Sequence, residues 1–217
     1  MRDVPVYDEE GGGRRAAAHG ANQVFLIGDS IRMGFQPWAQ RALEGRATLV
    51  SPEENCRYTQ YTYTSLAAWK ELFPDPAAVK LVHWNNGHWD AAHWDKDPRP
   101  LNSEAEYAAM LVRIHQRLRR YFPGAKILFA TTSPPNPNGT MGPNPRTRAE
   151  IARYNEAARA ALEPLGVQID DVWAFLRDWG AEDYADYVHL TESGFERLGL
   201  HVADVIRAAL KEQGAWN

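Results

Sequence analysis

The stretch Gln23-Val24-Phe25-Leu26-Ile27-Gly28-Asp29-Ser30-Ile31-Arg32-Met33-Gly34 decides how the chain folds. A short apolar run bounded by a turn reads as a buried strand, and the Gly-Asp-Ser that follows turns the chain into a helix. Further strand-like runs lie at Ala47 to Ser51, Val79 to Trp84, Lys126 to Thr131 and Val167 to Ile169, with helical periodicity between them. Ser103 with Glu106 and Thr147 with Glu150 form capping boxes ahead of apolar helical faces. The last helix carries Phe195, Leu198, Val202, Val205 and Ile206 on one face. This alternation predicts an α/β protein: a three-layer α/β/α sandwich around a parallel sheet of about five strands, with ligands bound outside the strands' carboxyl ends. The first turn lacks both the dinucleotide glycine pattern and a P-loop lysine, and Ser30 does not lie in Gly-x-Ser-x-Gly.

Asp186-Tyr187-Val188-His189 stands directly before the last helix. A serine hydroxyl is a poor nucleophile until a histidine takes its proton, and that histidine needs an acid to fix its tautomer and stabilise its charge. Three residues of separation let one loop bring Asp186 and His189 together. Taken singly, each part has an ordinary reading: Ser30 as a helix N-cap, His189 as a surface or capping residue, Asp186 as a solvated carboxylate. Asp183 is the nearby carboxylate expected to fill that solvated role. Together they point to a serine hydrolase with Ser30 as nucleophile, His189 as general base and then acid, and Asp186 as orienter.

With the serine early and the Asp-x-x-His late, residues 23 to 212 resemble the SGNH, or GDSL-type, hydrolase family. The resemblance implies a flavodoxin-like SGNH fold and an esterase-like acyl hydrolase. It also implies three oxyanion donors: the Ser30 N–H, a backbone N–H after the second strand, and an asparagine side chain after the third. Ser51 to Thr59 contains no glycine where the family usually has one, so Cys56 or Arg57 must present the second donor, with Arg57 expected if its φ is negative. After the third strand, Gly87-His88-Trp89-Asp90 has tryptophan in the asparagine's place. Asn85 is then the expected donor from an Asn-x-Gly arrangement, and Asn86 is the alternative.

The 217 residues, 44% hydrophobic, can bury one substantial core, and one hydrolase domain is expected over 21–217 behind a flexible segment over 1–20. A net charge of -4 argues against nucleic acid, and no run of residues resembles a membrane span or signal peptide, so a cytoplasmic location is expected. Cys56 is the single cysteine and excludes an intrachain disulfide. The mechanism needs no cofactor and no metal. His83, His88, Asp90 and His93 nevertheless open a competing reading, a metal-dependent hydrolase built on the His88 loop. Trp84, Trp89 and Trp94 interleave with them. Trp84 on the strand is expected to be core, whereas Trp89 and Trp94 are candidates to stack on sugar rings. The expected substrate is a small-molecule or oligosaccharide ester, above all an acetyl ester. A catalytically silent glycan-binding module is the other alternative.

Overall fold

The computed structural model describes residues 22–216, so the reading of residues 1–20 lies outside it. Strands β1 (Asn22–Ile27), β2 (Ala47–Val50), β3 (Leu81–Trp84), β4 (Lys126–Ala130) and β5 (Gln168–Asp170) form one sheet in the order β2-β1-β3-β4-β5. All four pairings are parallel, with Phe25 opposite Val82 and Val82 opposite Ile127. Every expected strand is present, displaced by at most two residues at an end. β1 and β3 are buried on both faces, which is why they read as continuous apolar runs.

Helices α1 (Ser30–Ala42), α5 (Val172–Leu176) and α6 (Glu192–Glu212) cover one face around Val24, Leu26, Leu81 and Leu128. Helices α2 (Thr59–Trp69), α3 (Glu104–Tyr121) and α4 (Arg148–Leu162) cover the other around Phe25, Val82 and Phe129. Both capping boxes form as the sequence implies, Ser103 with Glu106 and Thr147 with Glu150. Trp84 is fully buried and meets the Phe129 ring edge-on, with centroids 4.9 Å apart, so it is core as expected.

Two features of this packing bear on the site. The winding direction reverses between β1 and β3, which opens a crevice at their carboxyl ends, where Ser30 and Asn85 lie. On the α1–α6 face, a Cβ on Gly34 would come within 2.4 Å of the Phe195 ring and one on Gly199 within 2.6 Å of Trp38 Cβ. The two helices therefore approach more closely than larger residues would permit. Among the described residues, no helix is long and apolar enough to cross a membrane.

Candidate active site

At the end of β1 the cap of α1 is Asp29, not Ser30: its buried carboxylate accepts the Ile31 N–H at 2.9 Å. Ser30 is thus relieved of the capping duty that its position suggests, and its hydroxyl is free for another partner. That partner is His189, whose Nε2 lies 2.8 Å from Ser30 Oγ. On its far side, His189 Nδ1 lies 2.7 Å from Asp186 Oδ2. A carboxylate accepts only, so Nδ1 carries the proton and Nε2 is left to accept from the serine O–H.

The Asp186–His189 loop is held by its own backbone. Asp186 Oδ1 accepts the N–H groups of Val188 at 2.8 Å and His189 at 2.7 Å, while Ala185 N–H donates to His189 O at 2.8 Å. Burial works against the Asp186 charge, but the His189 N–H, the His189 ring and the Val188 N–H hold its carboxyl below the usual carboxylate range. Asp183 is not the solvated carboxylate expected of it. It pairs with Arg197 at 2.8 Å and accepts the Gly180 N–H.

The expected oxyanion donors divide. Among the described residues the Ser30 N–H has no intramolecular acceptor, and it sits at the positive end of α1. Arg57 departs from expectation: its φ is 53°, not negative, and its N–H donates to Asn55 Oδ1 at 2.8 Å. The left-handed turn that glycine takes easily is here imposed by an asparagine side chain, and that side chain takes up the amide. The neighbouring Cys56 N–H donates to Gly28 O at 3.2 Å. Asn85 Nδ2 donates to Ala130 O at 2.8 Å and more weakly to Thr132 Oγ1 at 3.4 Å, so its amide too has partners within the fold. Asn86 is buried, accepting from Trp84 Nε1 and donating to Arg57 O and Thr62 Oγ1.

The profile of the GDSL-like Lipase/Acylhydrolase family matches residues 26–197, a span that contains Ser30, Asp186 and His189. The chain belongs to this family. It is an SGNH-type ester hydrolase. Solved structures with the same fold include a lipase/acylhydrolase from Enterococcus faecalis, with a TM-score of 0.67 and 16% identity over 85% of this chain and 95% of that one. The acetyl xylan esterase AlAXEase gives a TM-score of 0.65 and 16% identity over 85% of this chain and 99% of that one. Est24, a carbohydrate acetylesterase from Sinorhizobium meliloti, gives 0.66 and 16% over 86% and 99%. No curated protein sequence matches the chain.

Beside this GDSL-family site the loops after β3 and β4 meet, with His88 in contact with Ser133 and Arg146. Trp89 and Trp94 pair with ring centroids 5.2 Å apart, and Trp94 is exposed. The histidines of the competing metal reading do not converge. His83 Nε2 meets Asp170 Oδ2 at 2.8 Å, His88 Nε2 meets Ser133 Oγ at 3.0 Å, and His93 Nε2 meets Glu150 Oε1 at 2.9 Å. No group of three His, Cys, Asp or Glu side chains suited to a metal occurs among the described residues. A small buried space of about 20 Å³ lies between α1 and the sheet, lined by Ile27, Ile31, Phe35, His83, Asn85 and His88 among others, and neither Ser30 nor His189 lines it.

Two arginines escaped the sequence reading. Arg32 lies buried on α1 and donates to Ser51 Oγ at 3.2 Å and Glu54 O at 2.7 Å, which ties the β2–α2 loop to the helix that Ser30 opens. A charged residue one position after Ile31, on the side of α1 that otherwise buries Phe35 and Ala39, was the available signal. Arg146, in the loop before α4, donates from Nε to His88 Nδ1 at 3.3 Å. Its neighbours in sequence give no hint of that contact.

Asp90 anchors the β3–α3 loop. Fully buried, it accepts on Oδ1 from Thr59 Oγ1 at 2.7 Å, Thr59 N–H at 3.1 Å and Asn102 Nδ2 at 2.6 Å, while Oδ2 has no partner among the described residues. Burial pushes its carboxyl up to about 6 from an ordinary 3.8, against these hydrogen bonds. Because the folded value is the higher, the fold binds this proton more tightly than the unfolded chain. The contribution is full below about pH 4 and is lost as pH rises through about 6, roughly 3 kcal/mol in total. Asp90→Asn is therefore expected to flatten the fall in melting temperature between pH 4 and pH 7. An unchanged slope in thermal melts would exclude Asp90 as its source.

Proposed function

We propose that this hydrolase is a serine esterase that removes short acyl groups, acetyl above all, from carbohydrates. The observation that carries the reading is the unbroken relay from Ser30 Oγ through His189 to Asp186, two contacts of 2.8 and 2.7 Å. In the first half of the reaction, His189 Nε2 takes the serine proton as Ser30 Oγ bonds to the ester carbon. The negative oxygen forms near the Ser30 N–H, where the α1 terminus favours it. Collapse breaks the bond to the alcohol, which leaves with the proton from His189. In the second half, water gives its proton to His189 and attacks the acyl-serine, and acetate leaves as Ser30 recovers its proton. Asp186 keeps the imidazole in the required tautomer and stabilises it while charged.

The carbohydrate assignment draws support from the Trp89–Trp94 ring pair, of which Trp94 is exposed. The two named acetylesterases of the same fold point the same way. A fluorophosphonate probe tests the serine mechanism: wild type should gain one adduct mapped to Ser30, and Ser30→Ala none. An unlabelled wild type would favour a silent glycan-binding module. Loss of ester hydrolysis with chelator, and its persistence in Ser30→Ala, would favour the metal mechanism.

The sugar platform has its own signature. Trp94→Ala, or Trp89→Ala, should lower kcat/KM several-fold more for acetylated oligosaccharides than for a small aryl acetate, since stacking contributes about 0.5–1.5 kcal/mol beyond area burial. Equal losses on both substrates would indicate a collapsed loop.

A further inference from the structure

The guanidinium of Arg146, beside His88, has no carboxylate within ion-pair distance among the described residues. Nε donates to His88 Nδ1, Nη1 donates to Asn144 O at 3.0 Å, and Nη2 has no hydrogen-bond acceptor among the described residues. Neither partner it has carries charge. His88 passes its own Nε2 proton to Ser133, and burial together with the nearby Arg146 and His189 holds its imidazole well below the ordinary histidine value. Elsewhere on the molecule Arg153, Arg159, Arg197 and Arg207 each meet a carboxylate directly. Arg146 has none within ion-pair distance among the described residues, although it is half-buried and close enough to Asp29 and Asp186 to feel both charges. Withdrawing a cation from water without a partner costs free energy, and a bidentate guanidinium is well shaped to recover it from a carboxylate.

The surroundings fix where such an anion would sit. Pro143 O and Pro145 O accept the N–H groups of Lys96 and His93, and Asn144 Oδ1 accepts that of Asp95, so the loop of Arg146 is sewn to the loop of Trp94. On the other side Tyr187, inside the Asp186–His189 loop, donates its hydroxyl to Arg146 O, and Tyr187 O accepts the Asn136 N–H. Arg146 thus stands between the tryptophan wall and the Asp186–His189 loop. We propose that Arg146 is a specificity residue that selects esters whose alcohol part carries a carboxylate, such as an acetylated uronic acid residue, with the sugar against Trp94 and the carboxylate on the guanidinium.

This inference rests on the esterase reading, and the experiment separates the two. Acetylated galacturonate oligosaccharides and their carboxyl-reduced counterparts share the ester and differ in charge. Wild type should show a kcat/KM about tenfold higher on the charged series, carried mainly by KM and shrinking as salt is raised. Arg146→Met should bring the ratio towards one, and Arg146→Lys should restore part of it. A wild-type ratio near one would overturn the proposal. So would equal losses on both series in Arg146→Met, which would make the arginine a brace for the loop or an aid to the oxyanion. Absence of any aryl acetate hydrolysis by wild type would instead overturn the esterase reading. Calorimetric binding of deacetylated galacturonate and its carboxyl-reduced form to wild type and Arg146→Met would still decide the role of Arg146: binding that depends on both charges sustains it, and indifference ends it.

Discussion

Ser30→Ala is expected to lower kcat/KM for 4-nitrophenyl acetate by about 10⁴-fold or more, while the melting temperature stays within a few degrees of wild type. Removing the hydroxyl abolishes the acyl-enzyme route and leaves only what the oxyanion donors and binding contribute. The fold loses little, because the α1 cap is supplied by the Asp29 carboxylate and not by the serine. His189→Ala should fall nearly as far, since a serine without its base regains its ordinary reluctance to ionise. Steady-state kinetics on folded protein, checked by circular dichroism, decide the matter. Turnover within tenfold of wild type for either variant would remove the proposed mechanism.

Asp186→Asn is expected to cost about 10²–10⁴ in kcat with little change in KM. An asparagine can still accept the Val188 and His189 N–H groups through its oxygen, so the loop persists. Its amide group, however, would face His189 Nδ1 with a donor, and the imidazole would be driven to the tautomer whose Nε2–H cannot accept the serine proton. Asp183→Asn is the matched comparison. It weakens a pairing with the half-exposed Arg197 and should change kcat no more than about threefold, because such exposed pairs contribute little. The reverse order, with Asp183→Asn the more damaging, would show that the wrong carboxylate has been placed behind His189.

What could be read from the chain in advance was what local chemistry dictates. Val24 to Ile27 had to be a buried strand, the two capping boxes had to start helices, and a serine after the first strand with Asp-x-x-His before the last helix left few geometries open. The oxyanion donors were harder because they depend on where amide hydrogens are already committed. Nothing in Asn55-Cys56-Arg57 announces that Asn55 will hold Arg57 at positive φ and take its N–H. The partners that engage Asn86, namely Trp84, Thr62 and Arg57, come from three separate stretches of the chain. Arg146 was invisible for the same reason: its meaning comes from loops that meet only in the folded protein.

The close seat of α1 against α6 has a consequence for how such an enzyme can change. Ser30 opens α1 and His189 lies just ahead of α6, so the glycines at 34 and 199 set the spacing of Ser30 and His189 from the back of the molecule. The loops that carry Trp94 and Arg146 follow β3 and β4, and they grow from strands and not from that helix pair. Reaction and recognition are therefore on separate mechanical footings. The loops around Trp94 and Arg146 can be redrawn without resetting the distance between Ser30 and His189, whereas a bulky residue at either glycine would shift that distance for every substrate at once.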